Sequence, residues 1–208
     1  MISPGSRILT SSGSLILWGA CAVSGTFLLG AYHARPGDAA NPPVRWPTAG
    51  RMTRDPIRPS LVIFLHPLCP CSRASVSELS HIVASAQGRL AVHAVVLTLP
   101  SPAPAWEDSG MERDLSAIPG VNVHLDPDGE EARRFGVVTS GNVLVFDSTG
   151  NRVFSGGITS SRGQEGESDG RAAVLAWISG GTNGPPSCPV FGCPLVTPKP
   201  PGDGGNIR

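Results

Sequence analysis

Residues 60–72 read Ser60-Leu61-Val62-Ile63-Phe64-Leu65-His66-Pro67-Leu68-Cys69-Pro70-Cys71-Ser72. A short, continuous apolar run with β-branched residues, stopped by proline, is the pattern of a strand buried on both faces, and Leu61 to Leu65 fit it. From about Arg73 to Gln87 the period changes. Val76, Leu79, Ile82, Val83 and Ala86 recur at spacings of three and four, which predicts an amphipathic helix with Gly88 at its C-cap. A buried strand thus delivers two cysteines, one residue apart, to the start of a helix. The positive end of a helix favours thiolate over thiol, so the pattern points to redox or metal–thiolate chemistry.

Working outward, Leu90 to Leu99 is a second apolar run and reads as a central strand, broken by Pro100 to Pro104. A weak helix is expected from Trp106 to Ala117, and Val121 to Leu125 alternates as a short strand. Asp126-Pro127-Asp128-Gly129 offers an N-cap and a first-turn acid to a helix over Glu130 to Phe135. Asn142 to Asp147 and Arg152 to Ser155, joined by Ser148-Thr149-Gly150-Asn151, form a hairpin. A last helix spans Arg171 to Ser179, with Val174, Leu175 and Ile178 on one face. The order β-α-β-α-β-α-β-β-α makes the first strands parallel and the hairpin strands antiparallel. The fold class is α/β.

Composition narrows the function classes. The chain has 208 residues, zero formal net charge and 15% charged residues, so no basic field argues for nucleic acid. Its 26 glycines and 21 prolines concentrate outside the expected core. This suggests one domain over residues 60–180, a Pro-rich linker over 35–59 and a Pro/Gly-rich tail over 181–208. No lysine-bearing phosphate loop, serine-hydrolase elbow or carboxylate pair stands out.

Residues 1–34 form the N-terminal segment. Ile8 to Tyr32 carries no charge, and ~25 helical residues reach ~37 Å, enough to span a bilayer core. An uncleaved anchor in the lipid bilayer through residues 8–32 is favoured over a signal peptide, because Leu29-Gly30-Ala31 is a poor cleavage site. Leu17-Trp18-Gly19-Ala20-Cys21 resembles a lipobox only loosely, and Cys21 reads as a small membrane-embedded residue. Arg35, Arg45, Arg51 and Arg54 outnumber Arg7, which by charge counting favours a cytoplasmic domain. A short N-terminus with one arginine and the later cysteine pairs suit export instead. The extracytoplasmic (periplasmic) side is adopted. The linker, with six prolines between Arg35 and Pro59, reads as an extended spacer. Trp46 within it is either a membrane-interface anchor or, more often for such residues, packed on the domain.

The arrangement resembles the thioredoxin fold, a mixed sheet flanked by helices, and most nearly the membrane-tethered, extracytoplasmic RedB-like group. The resemblance rests on His66 to Ser75, Asp126 to Gly129, Phe135-Gly136-Val137, Gly156-Gly157-Ile158-Thr159 and Pro189 to Leu195. It implies an oxidoreductase acting on protein thiols and disulfides, drawing on a membrane redox donor. Two departures stand out. Cys69 and Cys71 are separated by one residue where the fold's usual motif has two. Gly141, after Ser140, stands where the fold places a cis-proline. The resemblance also sets the loop after Gly156 at the active-site end of the sheet, where Thr159 and Arg162 would contact a partner.

Several readings of the cysteines stay open. In the first, Cys69 attacks as thiolate, Cys71 resolves, Pro70 supports the helix start, and His66 adds positive charge if protonated. His66 bonded to backbone is the alternative. Residues i and i+2 have Cα atoms ~5.5–7 Å apart, which overlaps the disulfide range but constrains the bond. The first reading needs no cofactor. The second is a copper or zinc site using Cys69, Cys71, His66 and Cys193. The third is a redox-inert binding module. Cys188 and Cys193 either close a local disulfide, or Cys193 folds back as a third thiol at Cys69 and Cys71.

Overall fold

The computed structural model describes residues 4–98, 109–181 and 184–195. The chain divides into two units, residues 1–35 and 36–208. The first contains helix α1, Pro4–His33. Its stretch Gly13–His33, mean hydropathy 1.7, is long and apolar enough to cross a membrane. Thr26 donates its hydroxyl to the Ala22 carbonyl, so this polar side chain is satisfied within the helix (2.9 Å).

The second unit is built on one sheet. Its elements are β1 (Ser60–Leu65), α2 (Pro70–Ala86), β2 (Ala91–Thr98), α3 (Met111–Ser116), β3 (Val121–Pro127) and α4 (Glu130–Arg134). Then come β4 (Asn142–Phe146), β5 (Arg152–Gly157), α5 (Asp169–Ile178) and a two-residue β6, Ser187–Cys188. The strand order is β3-β2-β1-β4-β5-β6. β1, β2 and β3 are parallel, β4 runs antiparallel to β1 and β5, and β6 is parallel to β5. A central β1 that exits into a cysteine-bearing helix, with a terminal antiparallel hairpin and helix, makes the fold thioredoxin-like.

All six residues of β1 are buried, because helices cover one side of the sheet and other segments cover the second. On one face Leu61, Ile63 and Leu65 pack with Leu79 and Ile82 of α2 and Val174 of α5. On the other, Val62 and Phe64 pack with Phe135, Val137 and Phe146. The alternation along one strand therefore feeds two cores.

The structure departs from sequence expectations in four places. The C-terminal turn of α2 begins its left-handed geometry at Gln87 (φ 50°), one residue before Gly88 (φ 78°). The helix expected from Trp106 starts at Met111 within the described residues; Leu99 to Asp108, which includes the proline-rich break, lies outside them. Asp126 serves α4 from before its cap, its carboxylate accepting the Glu131 and Ala132 amides at 2.8 and 3.0 Å.

The fourth departure is the largest. Composition set 35–59 apart as a spacer and 181–208 as a tail, yet both segments are partly bound to the sheet. Trp46 lies edge-on to Phe135 and Phe146, ring centroids 5.2 Å away in both cases, and Met52 is buried. Amides and carbonyls tie the linker down through Asn41 to Gly136, Trp46 to Gly150 and Arg152 to Val44. The reason is apolar area. The sheet face bearing Phe64, Phe135 and Phe146 has one short helix over it, and the linker's aromatic and thioether side chains complete the cover. Trp46→Ala is expected to lower domain stability by about 2–4 kcal/mol, measured by denaturant unfolding. A linker that merely spaces the domain would give no change.

Candidate functional site

The turn after β1 sets the site. Cys69 donates its amide to the His66 carbonyl (3.1 Å) and accepts the Ser72 amide at its own carbonyl (3.0 Å). Its backbone is extended (φ −90°, ψ 120°), which makes it the N-cap of α2, with Pro70 in the first helical turn. Proline is tolerated there because first-turn amides have no helical acceptor. Cys69 is 1% exposed and Cys71 is 6% exposed.

The chain that closes over Cys69 comes from the C-terminal segment. Ser140 donates its amide to the Cys193 carbonyl (2.9 Å) and Leu195 donates its own to Val138 (2.8 Å). Thr139 and Pro194 form an antiparallel bridge between those bonds, so Pro194 sits where no ladder amide is required. A Cβ on Gly192 would stand 1.9 Å from the Ser140 carbonyl oxygen, and so glycine permits the approach. Gly156 and Gly157 do the same for the preceding turn. Cβ atoms on them would lie 2.5 Å from the backbone of Cys188 and Pro189.

Three thiols meet as a result. Burial pushes the Cys69 thiol up, but donors outweigh it: the Cys193 side chain, the Ser72 and Cys193 amides and the Ser140 hydroxyl. Its pKa therefore falls below the ordinary thiol value. Cys71 is raised by burial and by the charge and hydrogen bond of Cys69, with opposing help from the Gly163 amide and Arg162. Burial, then hydrogen bonding to Cys69, pushes Cys193 up to about 12. Of the three, Cys69 is the one whose pKa is lowered, while those of Cys71 and Cys193 are raised. All five cysteines are free, and Cys188 lies apart on β6, raised by burial and by Asp169.

The other sequence candidates fall as follows. His66 accepts the Leu68 amide at Nδ1 (3.2 Å), and burial holds its pKa below the usual imidazole value. It is the backbone-bonded histidine of the two readings. Ser140 is fully buried and its hydroxyl meets that of Ser72 at 2.6 Å, while the Ser72 oxygen also accepts the His66 amide (3.1 Å). Gly141 is left-handed (φ 84°) and donates its amide to Phe64 (2.7 Å); a Cβ there would crowd the Ser75 hydroxyl at 2.9 Å. Arg162 donates to the Gly192 carbonyl (2.9 Å). Thr159 is buried, in contrast to the partner-facing position expected of it. Among the described residues no group of three or more His, Cys, Asp or Glu side chains is placed to hold a metal ion. Within the set Cys69, Cys71, His66 and Cys193, the Nδ1 of His66 is engaged with backbone and so is not offered to a metal.

Glu78 escaped the sequence reading. It is 1% exposed, pairs with Arg171 (2.5 Å) and accepts the Gly166 amide (2.6 Å), holding the loop that carries Arg162 and Gly163 against α2. The signal was present. Cys71, Ser75, Glu78 and Ile82 follow a core spacing, and an acid at such a position implies a buried partner.

No protein-family model matches the chain, and no curated protein matches it. Solved structures are similar to it in fold. A hypothetical protein of Sinorhizobium meliloti 1021 is 21% identical, with a TM-score of 0.61 over 79% of this chain and 99% of that one. An uncharacterized conserved protein of Geobacillus kaustophilus is 17% identical, with a TM-score of 0.56 over 80% of this chain and 94% of that one. A secreted disulfide oxidoreductase of Mycobacterium tuberculosis is 15% identical, with a TM-score of 0.41 over 59% and 81%. At these identities the first two likenesses establish fold alone, and the third adds no weight.

Alkylation against pH tests the electrostatics. Thiolate is the reactive form, so Cys69 labelling should reach half-maximum below the ~8.5 of a free thiol and fade as pH drops through its lowered pKa. Cys193→Ser keeps one donor but removes the thiol from Cys69, and the midpoint should shift. An unchanged midpoint near that of free cysteine in both proteins would contradict the geometry.

Proposed function

We propose that this chain is a thiol–disulfide oxidoreductase, anchored by its N-terminal apolar helix with the thioredoxin-like domain on the extracytoplasmic side. We read it as RedB-like, on the likeness of the Cys-Pro-Cys motif and the Pro-Val-Phe-Gly-Cys-Pro-Leu segment. The observation that carries the reading is geometric: a cysteine caps the first turn of α2 and a second lies inside that turn, with the Cys193 thiol, the Ser72 amide and the Ser140 hydroxyl gathered on the Cys69 sulfur, an arrangement that lowers its pKa while those of Cys71 and Cys193 are raised.

Cys69 attacks one sulfur of a protein disulfide. The S–S bond breaks, the second client sulfur leaves as thiolate and takes a proton, and a mixed disulfide remains. Cys71, deprotonated as the Cys69 charge disappears into that bond, attacks the Cys69 sulfur and releases the first client thiol. Two electrons pass from Cys69 and Cys71 to the client. An external dithiol, the membrane redox donor, returns them. Cys69 is the extended N-cap and Cys71 lies in the first turn of α2, so a bond between cysteines only one residue apart constrains that turn and is readily exchanged.

A glutathione or dithiothreitol series with thiol-specific mass labelling tests this. Cys69→Ser should reduce exchange at least about a hundredfold, consistent with loss of the nucleophile. Cys71→Ser should accumulate the mixed disulfide. If Cys69 and Cys71 never pair and Cys69→Ser leaves exchange intact, the chain is not an oxidoreductase of this kind.

A further inference from the structure

Residues 193–195 run antiparallel to Val138–Ser140 about a single bridge, Thr139 to Pro194, as a strand added to a backbone edge would. The two bonds that flank the bridge, Ser140 amide to Cys193 carbonyl and Leu195 amide to Val138 carbonyl, use main-chain groups alone, and upstream the Pro189 carbonyl accepts the Gly157 amide (3.2 Å). Any extended peptide could make them, because they read no side chain. The segment is held by few anchors. Val190 and Leu195 are buried, the Val190 carbonyl accepts the Gly37 amide (2.8 Å), and Arg162 binds the Gly192 carbonyl. It also places Cys193 against Cys69, whose residue is 1% exposed. A folded client disulfide has no path to a sulfur so covered. Either Cys69 is inert toward proteins, or the cover moves.

We propose that residues 192–195 are a resident stand-in for a client strand: they occupy the edge Val138–Ser140 in cis, with Cys193 beside Cys69, and are displaced when an extended, cysteine-bearing peptide docks. This rests on Cys69 being the exchanging thiol. An incoming strand displaces the resident one, takes the Ser140 amide and the Val138 carbonyl, and sets its own sulfur beside Cys69. In the resting protein the resident strand keeps the thiolate from adventitious disulfides. Ser140 and Gly141 gain a role here. Gly141 stands at the fold's cis-proline position and Ser140 before it offers the amide that the crossing strand takes, while Gly192 supplies the lack of bulk that the crossing needs on the other side.

The test uses the full chain in detergent with Cys21, Cys71, Cys188 and Cys193 replaced by serine, leaving Cys69. The probe is an extended heptapeptide whose central cysteine is activated as a 2-pyridyl disulfide. Cys69 thiolate attacks the peptide sulfur and pyridine-2-thione leaves, so coupling needs no intrinsic redox activity of the protein. Amide hydrogen exchange is then compared before and after coupling. Displacement predicts that Leu195 exchanges at least about tenfold faster in the conjugate, while Ser140 stays protected by the peptide carbonyl. Leu195 remaining protected in the conjugate would overturn the proposal. As a second arm, Leu195→Asp unseats the resident strand and should raise the coupling rate at least about tenfold, whereas coupling of 2,2′-dipyridyl disulfide itself, a small reagent, rises much less. Equal acceleration of both reagents, or of neither, would also overturn it. Loss of thiol exchange in the glutathione series, with Leu195 displaced as predicted, would instead indict the oxidoreductase reading and leave the docking edge standing.

Discussion

A sulfur that is both buried and negatively charged has to be surrounded by hydrogen-bond donors, and much of this site follows from that need. Cys69 sits at the end of β1, where an N-terminal helix turn provides one amide. One amide does not offset near-complete burial. The remaining donors come from Ser140, ahead of β4, and from Cys193, 53 residues beyond Ser140 in sequence. The strand end, the loop before the hairpin and the C-terminal segment therefore converge on a single atom.

Convergence of backbone requires glycine. Gly156 and Gly157 let residues 188–189 lie against β5, and Gly192 lets the chain cross Ser140. Gly170 does the same for α5 against β5, where a Cβ would fall 1.8 Å from the Gly157 carbonyl oxygen. These close approaches replace side-chain packing by main-chain contact, which gives little apolar burial per residue. The C-terminal segment is consequently ordered by hydrogen bonds and two apolar anchors, and the same economy makes it exchangeable for another strand. The linker is held differently. Trp46 and Met52 bury real apolar area against Phe135 and Phe146, so it behaves as part of the core.

The loop from 158 to 168 shows how a polar segment is fixed near the thiols without a core of its own. Glu78, buried on α2, neutralises Arg171 and accepts the Gly166 amide. Ser168 caps α5, its hydroxyl accepting the Arg171 amide (3.2 Å) while donating to the Ile158 carbonyl (2.7 Å). Arg162 and Gly163 are thereby held where their charge and amide lower the cost of ionising Cys71 and Cys193. A charged pair at this depth costs desolvation, and its return is position rather than stability.

Local period and punctuation by themselves determined the elements. The continuous apolar run of β1, the three-four spacing of α2 and the Gly-Asn turn before β5 each act over a handful of residues, so they are legible in the chain. The α/β class, the strand order's parallel and antiparallel parts and the cysteine pair at a helix start follow from them. Tertiary structure alone decided what converges on Cys69. Proline and glycine content marked 35–59 and 181–208 as linker and tail, because composition records the absence of a periodic apolar face. It does not record that the sheet leaves an aromatic face short of cover, or that a glycine lies opposite a carbonyl. Ser72, Ser140 and Cys193 matter through contacts to residues far away in sequence, and such contacts have no local signature, whereas Glu78 was marked as buried by the period of α2 though its partner was not. The two cysteines of the opening stretch announced thiol chemistry and left Cys193 as either half of a local clip or a third thiol; which of these holds, and which donors lower the pKa of Cys69, became visible only in three dimensions, since an electrostatic environment is a property of neighbours in space.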